Sequence, residues 1–139
     1  KEEIKQYLQK ENFQVEDEGA HSLSKEDDYP EFISKAAEKV SKIPNSKGII
    51  FGASGQGEAI VANKFKGIRA VVYNTNNLKI IKLSRTHNDA NILSLGARFL
   101  SKKEAILAVK TWLETDFNKE KRHIRRIKQT QDIEEKTCR

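Results

Sequence analysis

Apolar positions along this chain recur at two spacings, and the two alternate from one end to the other. Ile4, Tyr7 and Leu8 fall on one face of a helix over Lys1 to Glu11. Phe13 to Glu16 alternates apolar with polar residues, which predicts a short strand. The polar stretch 17–28, with Gly19 inside it, reads as a loop. Pro30 suits the first turn of a second helix, which runs to about Ser41 with Phe32, Ile33, Ala36, Ala37 and Val40 inward. Pro44, Asn45 and Ser46 end it. Gly48 to Phe51 is a compact apolar strand, followed by the glycine-rich turn Gly52 to Gly57 and a helix from near Glu58. Further on, Ile68 to Tyr73 and Ile92 to Leu95 read as strands, and Asn77 to Arg85 as a helix. Lys102 to Leu113 carries Ala105, Ile106, Val109 and Leu113 in helical register, and a basic helix covers Lys119 to Glu135.

Strands alternating with helices imply an α/β fold, a doubly wound, Rossmann-like parallel sheet with helices on both faces. The strands are short and apolar, as in a sheet covered on both sides. Residues 1–139 form one domain on this reading, with the basic helix 119–135 inside it.

Composition narrows the setting. There is no apolar run long enough to span a membrane and no secretory signal pattern at Lys1-Glu2-Glu3. The single cysteine, Cys138, excludes an internal disulfide and fits a cytoplasmic protein. The net charge of +6 favours anionic partners, although a modest positive charge also serves solubility alone. The sequence contains no methionine, so the chain is expected to be a fragment of a longer product.

In a doubly wound sheet, ligands bind beyond the carboxyl ends of the strands, and the Gly52–Gly57 turn lies at such an end. Its glycines let the backbone approach a ligand, and its N–H groups can converge on an anion. The turn lacks the Gly-Lys-Ser/Thr of a P-loop and the full spacing of a dinucleotide fingerprint, so a plain tight turn stays open. Glu58 is either a first-turn glutamate complementing the helix dipole or a general base at the mouth of a site. Ser84 to Asn91 is dense in polar groups. It reads either as a helix cap and turn or as a site in which His87 is an acid and Asn88 binds substrate. Arg122 and Arg126 share a helix face, which suits a phosphate, a solvated basic surface or a nucleic-acid patch. Interleaved aromatics and a recognised reader motif are lacking, which disfavours nucleic acid.

Together these segments resemble the family of ribose-5-phosphate isomerase B and the galactose-6-phosphate isomerase subunits. The resemblance is carried by Gly48 to Ala70 (GIIFGASGQGEAIVANKFKGIRA), Ser84 to Asn91 (SRTHNDAN), Leu95 to Arg98 (LGAR) and Arg122 to Arg126 (RHIRR), with Asp28-Tyr29-Pro30 ahead of them. It covers essentially the whole chain in one order.

The resemblance implies an aldose–ketose isomerase of the pentose phosphate pathway. Ribose 5-phosphate and ribulose 5-phosphate would be its substrates, interconverted by proton transfer through an enediolate. It implies that Ala53, Ser54, Gly55, Gln56 and Gly57 bind the sugar oxygens through backbone N–H groups. His87 would open the furanose ring, Asn88 and Arg98 would bind substrate, and Arg122 and Arg126 would hold the phosphate across a dimer interface. A homodimer or dimer of dimers is expected, with no metal, cofactor, nucleic acid or membrane partner. The alternatives are a galactose-6-phosphate isomerase subunit, which needs a partner chain, and a non-catalytic sugar-phosphate binder.

The chain departs from the family pattern at two places. Many members carry a cysteine base where this chain has Gly52, and another branch pairs a glycine there with a glutamate six residues later, which Glu58 matches. Family members also open with a strand and an Asp-His pair before the first helix, and this chain begins inside that helix.

Overall fold

The computed structural model describes residues 1–22 and 26–137, so Cys138 and part of the loop expected over 17–28 lie outside the described residues. The elements in chain order are α1 (Glu2–Lys10), α2 (Tyr29–Lys42), β1 (Gly48–Gly52), α3 (Gln56–Ala62), β2 (Ala70–Tyr73), α4 (Leu78–Thr86), β3 (Ile92–Gly96), α5 (Lys102–Glu114) and α6 (Lys121–Thr137). The strands form one parallel sheet in the order β1-β3-β2, with Gly48 and Ala70 both opposite Ile92. The α/β fold with helices on both faces therefore stands as the sequence predicted.

Alternation along the strands builds the two cores. On one face, Leu93 and Leu95 of β3 and Tyr73 of β2 pack against Ile4 and Leu8 of α1, Ile81 of α4, and Val109 and Trp112 of α5. On the other, Ile50 and Ile92 pack against Ile33 and Ala37 of α2 and Ala62 of α3. β3 is buried along its whole length, as a central strand covered on both sides should be. The helix ends follow local chemistry. Asn77 caps α4 by accepting from the Lys79 N–H, and Ser101 with Glu104 forms a capping box at α5.

Two expectations from the periodicity change. Phe13 to Glu16 forms no strand: Asn12 at φ 65° ends α1 with the Phe13 N–H bonded back to the Leu8 carbonyl, and the segment then meets no ladder partner. Alternation alone lacked the neighbour that a strand requires. The strand expected from Ile68 starts instead at Ala70. Gly67 turns the backbone at φ 80°, and the Arg69 N–H donates to Asn91 Oδ1 at 2.7 Å. The outer edge of β1 pairs with no other strand among the described residues and faces an apolar groove of about 750 Å³ lined by Ile4, Leu8, Phe32, Val40 and Ile49.

The helix following β1 covers one face of the sheet and the helix following β3 covers the other. The adjacent carboxyl ends of β1 and β3 are thus the topological switch point, where such sheets open a crevice for ligands.

Candidate active site

Four successive carbonyls of the glycine turn are drawn towards the sheet. The Gly52 carbonyl accepts from the Ala97 N–H at 2.8 Å and that of Ala53 from the Arg98 N–H at 3.1 Å. Asn74 Nδ2 donates to the Ser54 carbonyl at 3.1 Å, and the buried Ser94 hydroxyl donates to the Gly55 carbonyl at 2.6 Å. With the carbonyls held, the N–H groups of Ser54, Gly55, Gly57 and Glu58 meet no acceptor among the described residues. The Gln56 N–H differs, since it bonds to Ser54 Oγ at 3.3 Å. Such an array of fixed donors suits an oxyanion or a sugar oxygen. Gly55 is required for two reasons: it sits at φ 81°, and a Cβ there would lie 3.0 Å from Ser94 Oγ and 3.2 Å from the Gly96 nitrogen.

Glu58 is 8% exposed, and its carboxylate fills the space beside Gly52. A Cβ on Gly52 would overlap the carboxylate carbon and both oxygens. Residue 52 and residue 58 thus aim at one point, which gives a physical reason why a side chain at the first and a glutamate at the second exclude each other. Tyr29, from the start of α2, sets its hydroxyl against Gly57 at the rim of the turn. Arg98 is exposed just beyond β3, with its backbone tied to the turn.

His87, Asn88, Arg122 and Arg126 lie elsewhere. His87 is the C-cap of α4, which leads into β3, so it stands at the amino ends of the strands. The turn carrying it is braced from below. Buried Arg85 donates to Asp89 Oδ1 at 2.8 Å, to the Ala90 carbonyl at 2.7 Å and to the Thr115 carbonyl at 3.0 Å. Arg69 reaches the Asn88 and Asp89 carbonyls. α6 crosses this end of the molecule. The Asn118 N–H bonds to the Thr86 carbonyl, and Glu134 accepts from the Gly67 N–H. His123 of α6 stacks on His87 with ring centroids 4.1 Å apart. Arg122 and Arg126 are exposed on either side of it, Arg122 paired with Glu120 at 3.2 Å.

The predicted residues therefore form two groups. The turn, Glu58 and Arg98 meet at the carboxyl ends, while His87, Asn88, Arg122 and Arg126 sit at the amino ends. A strand rises roughly 3.3 Å per residue, so the length of β3 alone sets the groups on the order of 13 Å apart. Sequence reading left Tyr29, Asn74, Ser94 and His123 unassigned. Among the described residues, no cluster of histidine, cysteine and carboxylate side chains is gathered as a metal site needs. Among the described residues, no helix is long and apolar enough to cross a membrane.

Comparison with known proteins decides the family. The family described as Ribose/Galactose Isomerase matches residues 1–130. This chain belongs to the ribose/galactose isomerase family. It is 37% identical over 127 residues to ribose-5-phosphate isomerase B of Mycolicibacterium paratuberculosis, covering 91% of this chain and 79% of that protein. The solved ribose-5-phosphate isomerase B of Clostridium thermocellum superposes with a TM-score of 0.90 at 39% identity, over 97% of this chain and 88% of that one. That of Mycoplasma genitalium, which has ribulose-5-phosphate bound, gives a TM-score of 0.93 at 35% identity, over 99% and 89% of the two chains.

Proposed function

We propose that this chain interconverts ribose 5-phosphate and ribulose 5-phosphate. The observation that carries the reading is the Glu58 carboxylate, seated beside Gly52 next to a turn in which the N–H groups of Ser54, Gly55, Gly57 and Glu58 meet no acceptor among the described residues. On the open-chain aldose, Glu58 takes the proton from C2, and the electron pair of that bond forms the C1–C2 double bond of the enediolate. The charge passes to the oxygen on C1, where the turn N–H groups stabilise it. Glu58 then returns the proton to C1, the proton on the C2 oxygen moves to the C1 oxygen, and C2 becomes the ketone. His87 serves the ring oxygen when the furanose opens. Arg122 and Arg126 hold the phosphate and so fix the distance to the reacting carbons.

Placing these groups at opposite ends of the sheet supports a composite site. Glu58 and the turn from one chain face His87, Asn88, Arg122 and Arg126 from a second copy, in a homodimer with two equivalent sites. A cytoplasmic location fits the same reading.

The test uses the product of the complete gene in deuterium oxide, with ribose 5-phosphate followed by proton NMR. The expected outcome is formation of ribulose 5-phosphate with deuterium entering at C1. Turnover of galactose 6-phosphate only when a second, related chain is added would instead identify a galactose-6-phosphate isomerase subunit. Binding of sugar phosphates without exchange would make the chain a binder.

A further inference from the structure

We propose that His123 is a positioning residue that holds the His87 ring in its working orientation. The proposal rests on the reading of His87 given above and adds a residue that the reading does not use. His123 is 3% exposed and is the buried residue of α6. Its ring lies over that of His87 at 4.1 Å between centroids and 28° between planes.

The ring is itself anchored. His123 Nδ1 lies 2.9 Å from Asn118 Oδ1. The Glu120 N–H donates to that same oxygen at 3.1 Å, while Asn118 Nδ2 faces Glu120 Oε1 at 3.4 Å. The amide orientation is thereby fixed with oxygen towards His123, so Nδ1 carries the hydrogen. Asn118 in turn is tied to α4, since its N–H bonds to the Thr86 carbonyl at 3.2 Å. One chain of contacts thus runs from the end of α4 through Asn118 and His123 back to the face of His87.

The surroundings of His123 favour its neutral form. Burial lowers its pKa first and the charge of His87 second. Arg122 and Arg126 act in the same direction, and Glu120 opposes them. A flat ring held beneath His87 restricts the orientations open to that imidazole. A half-buried histidine on a turn would otherwise sample several rotamers, and small misplacements of a reacting group cost rate steeply.

The experiment compares His123→Ala, His123→Phe and Asn118→Ala in the complete gene product. Two readouts are taken: steady-state kinetics on ribose 5-phosphate, and proton NMR of the His87 ring. Stacking should displace the His87 ring protons upfield in the parent protein. His123→Ala should abolish that displacement and lower kcat by about tenfold or more, with KM little changed. His123→Phe keeps a flat ring beneath His87 and should retain the displacement and most of the turnover. Asn118→Ala leaves His123 in place without its anchor. It should show a smaller loss of both, and it serves if His123→Ala does not fold. A normal kcat in His123→Ala, or a rise in KM alone from displaced arginines, overturns the proposal. The NMR readout needs no activity, so it decides the stack even if His87→Asn turns over normally and the role given to His87 fails.

Discussion

At the scale of single residues, the account turns on the missing side chain at Gly52. A methyl group there collides with the Glu58 carboxylate, so Gly52→Ala should displace the base without touching the turn N–H groups or the arginines. Its kcat should fall by about a hundredfold while affinity for ribose 5-phosphate, measured by calorimetry, stays close to the parent's. Glu58→Gln removes the base itself and should cost about 10²–10⁴ in kcat, again with binding retained. Normal turnover in Glu58→Gln would show that the glutamate only complements its helix. The turn and Glu58 were legible in the sequence because glycines, strand and helix start lie within one short segment. Asn74, just past the end of β2, and Ser94, in the middle of β3, hold turn carbonyls from elsewhere in the chain, and Tyr29 comes from α2. No local spacing announces a serine that matters because of a carbonyl 39 positions away.

At the scale of elements, hydrophobic period placed the helices and the three strands to within a few residues, because each buries a continuous stripe or face. It failed where the deciding fact was a partner. Phe13 to Glu16 has the alternation of a strand, but Phe13 is 46% exposed and the segment has no ladder to join. The docking of α6 is a second property that no period encodes, since a buried histidine among basic residues looks like part of a solvated face. That docking should depend on pH. The pKa of His123 is lowered in the fold from the ordinary 6.5, so below that value the unfolded chain binds more protons than the native one. Stability contributed by neutral His123 is full above pH 6.5 and is lost as pH falls towards its folded pKa. Urea midpoints measured between about pH 7.5 and 5.5 should decline, and His123→Phe should decline less. Equal slopes for the two proteins would mean that His123 titrates normally.

At the scale of the whole molecule, the order of elements decides what one chain can do. Residues after a strand lie at its carboxyl end, and residues after the returning helix lie at its amino end. Glu58 and His87 are therefore held apart by the sheet, and no loop closure unites them within one chain. The division was implicit in the alternation of strand and helix, but it emerged only once the parallel order β1-β3-β2 was in place. The arginines of α6 follow His87 because α6 crosses the amino ends, tied there through Asn118 and Glu134. The direct measurement is complementation between two inactive chains. If two chains build each site, dimers of Glu58→Gln and dimers of His87→Asn each have both sites defective. When they are dissociated, mixed in equal amounts and allowed to reassociate, half of the dimers carry one site with both native residues. The account predicts recovery of about a quarter of the parent ribose 5-phosphate isomerase activity. If the mixture has no more activity than the two variants added together, the composite site is contradicted.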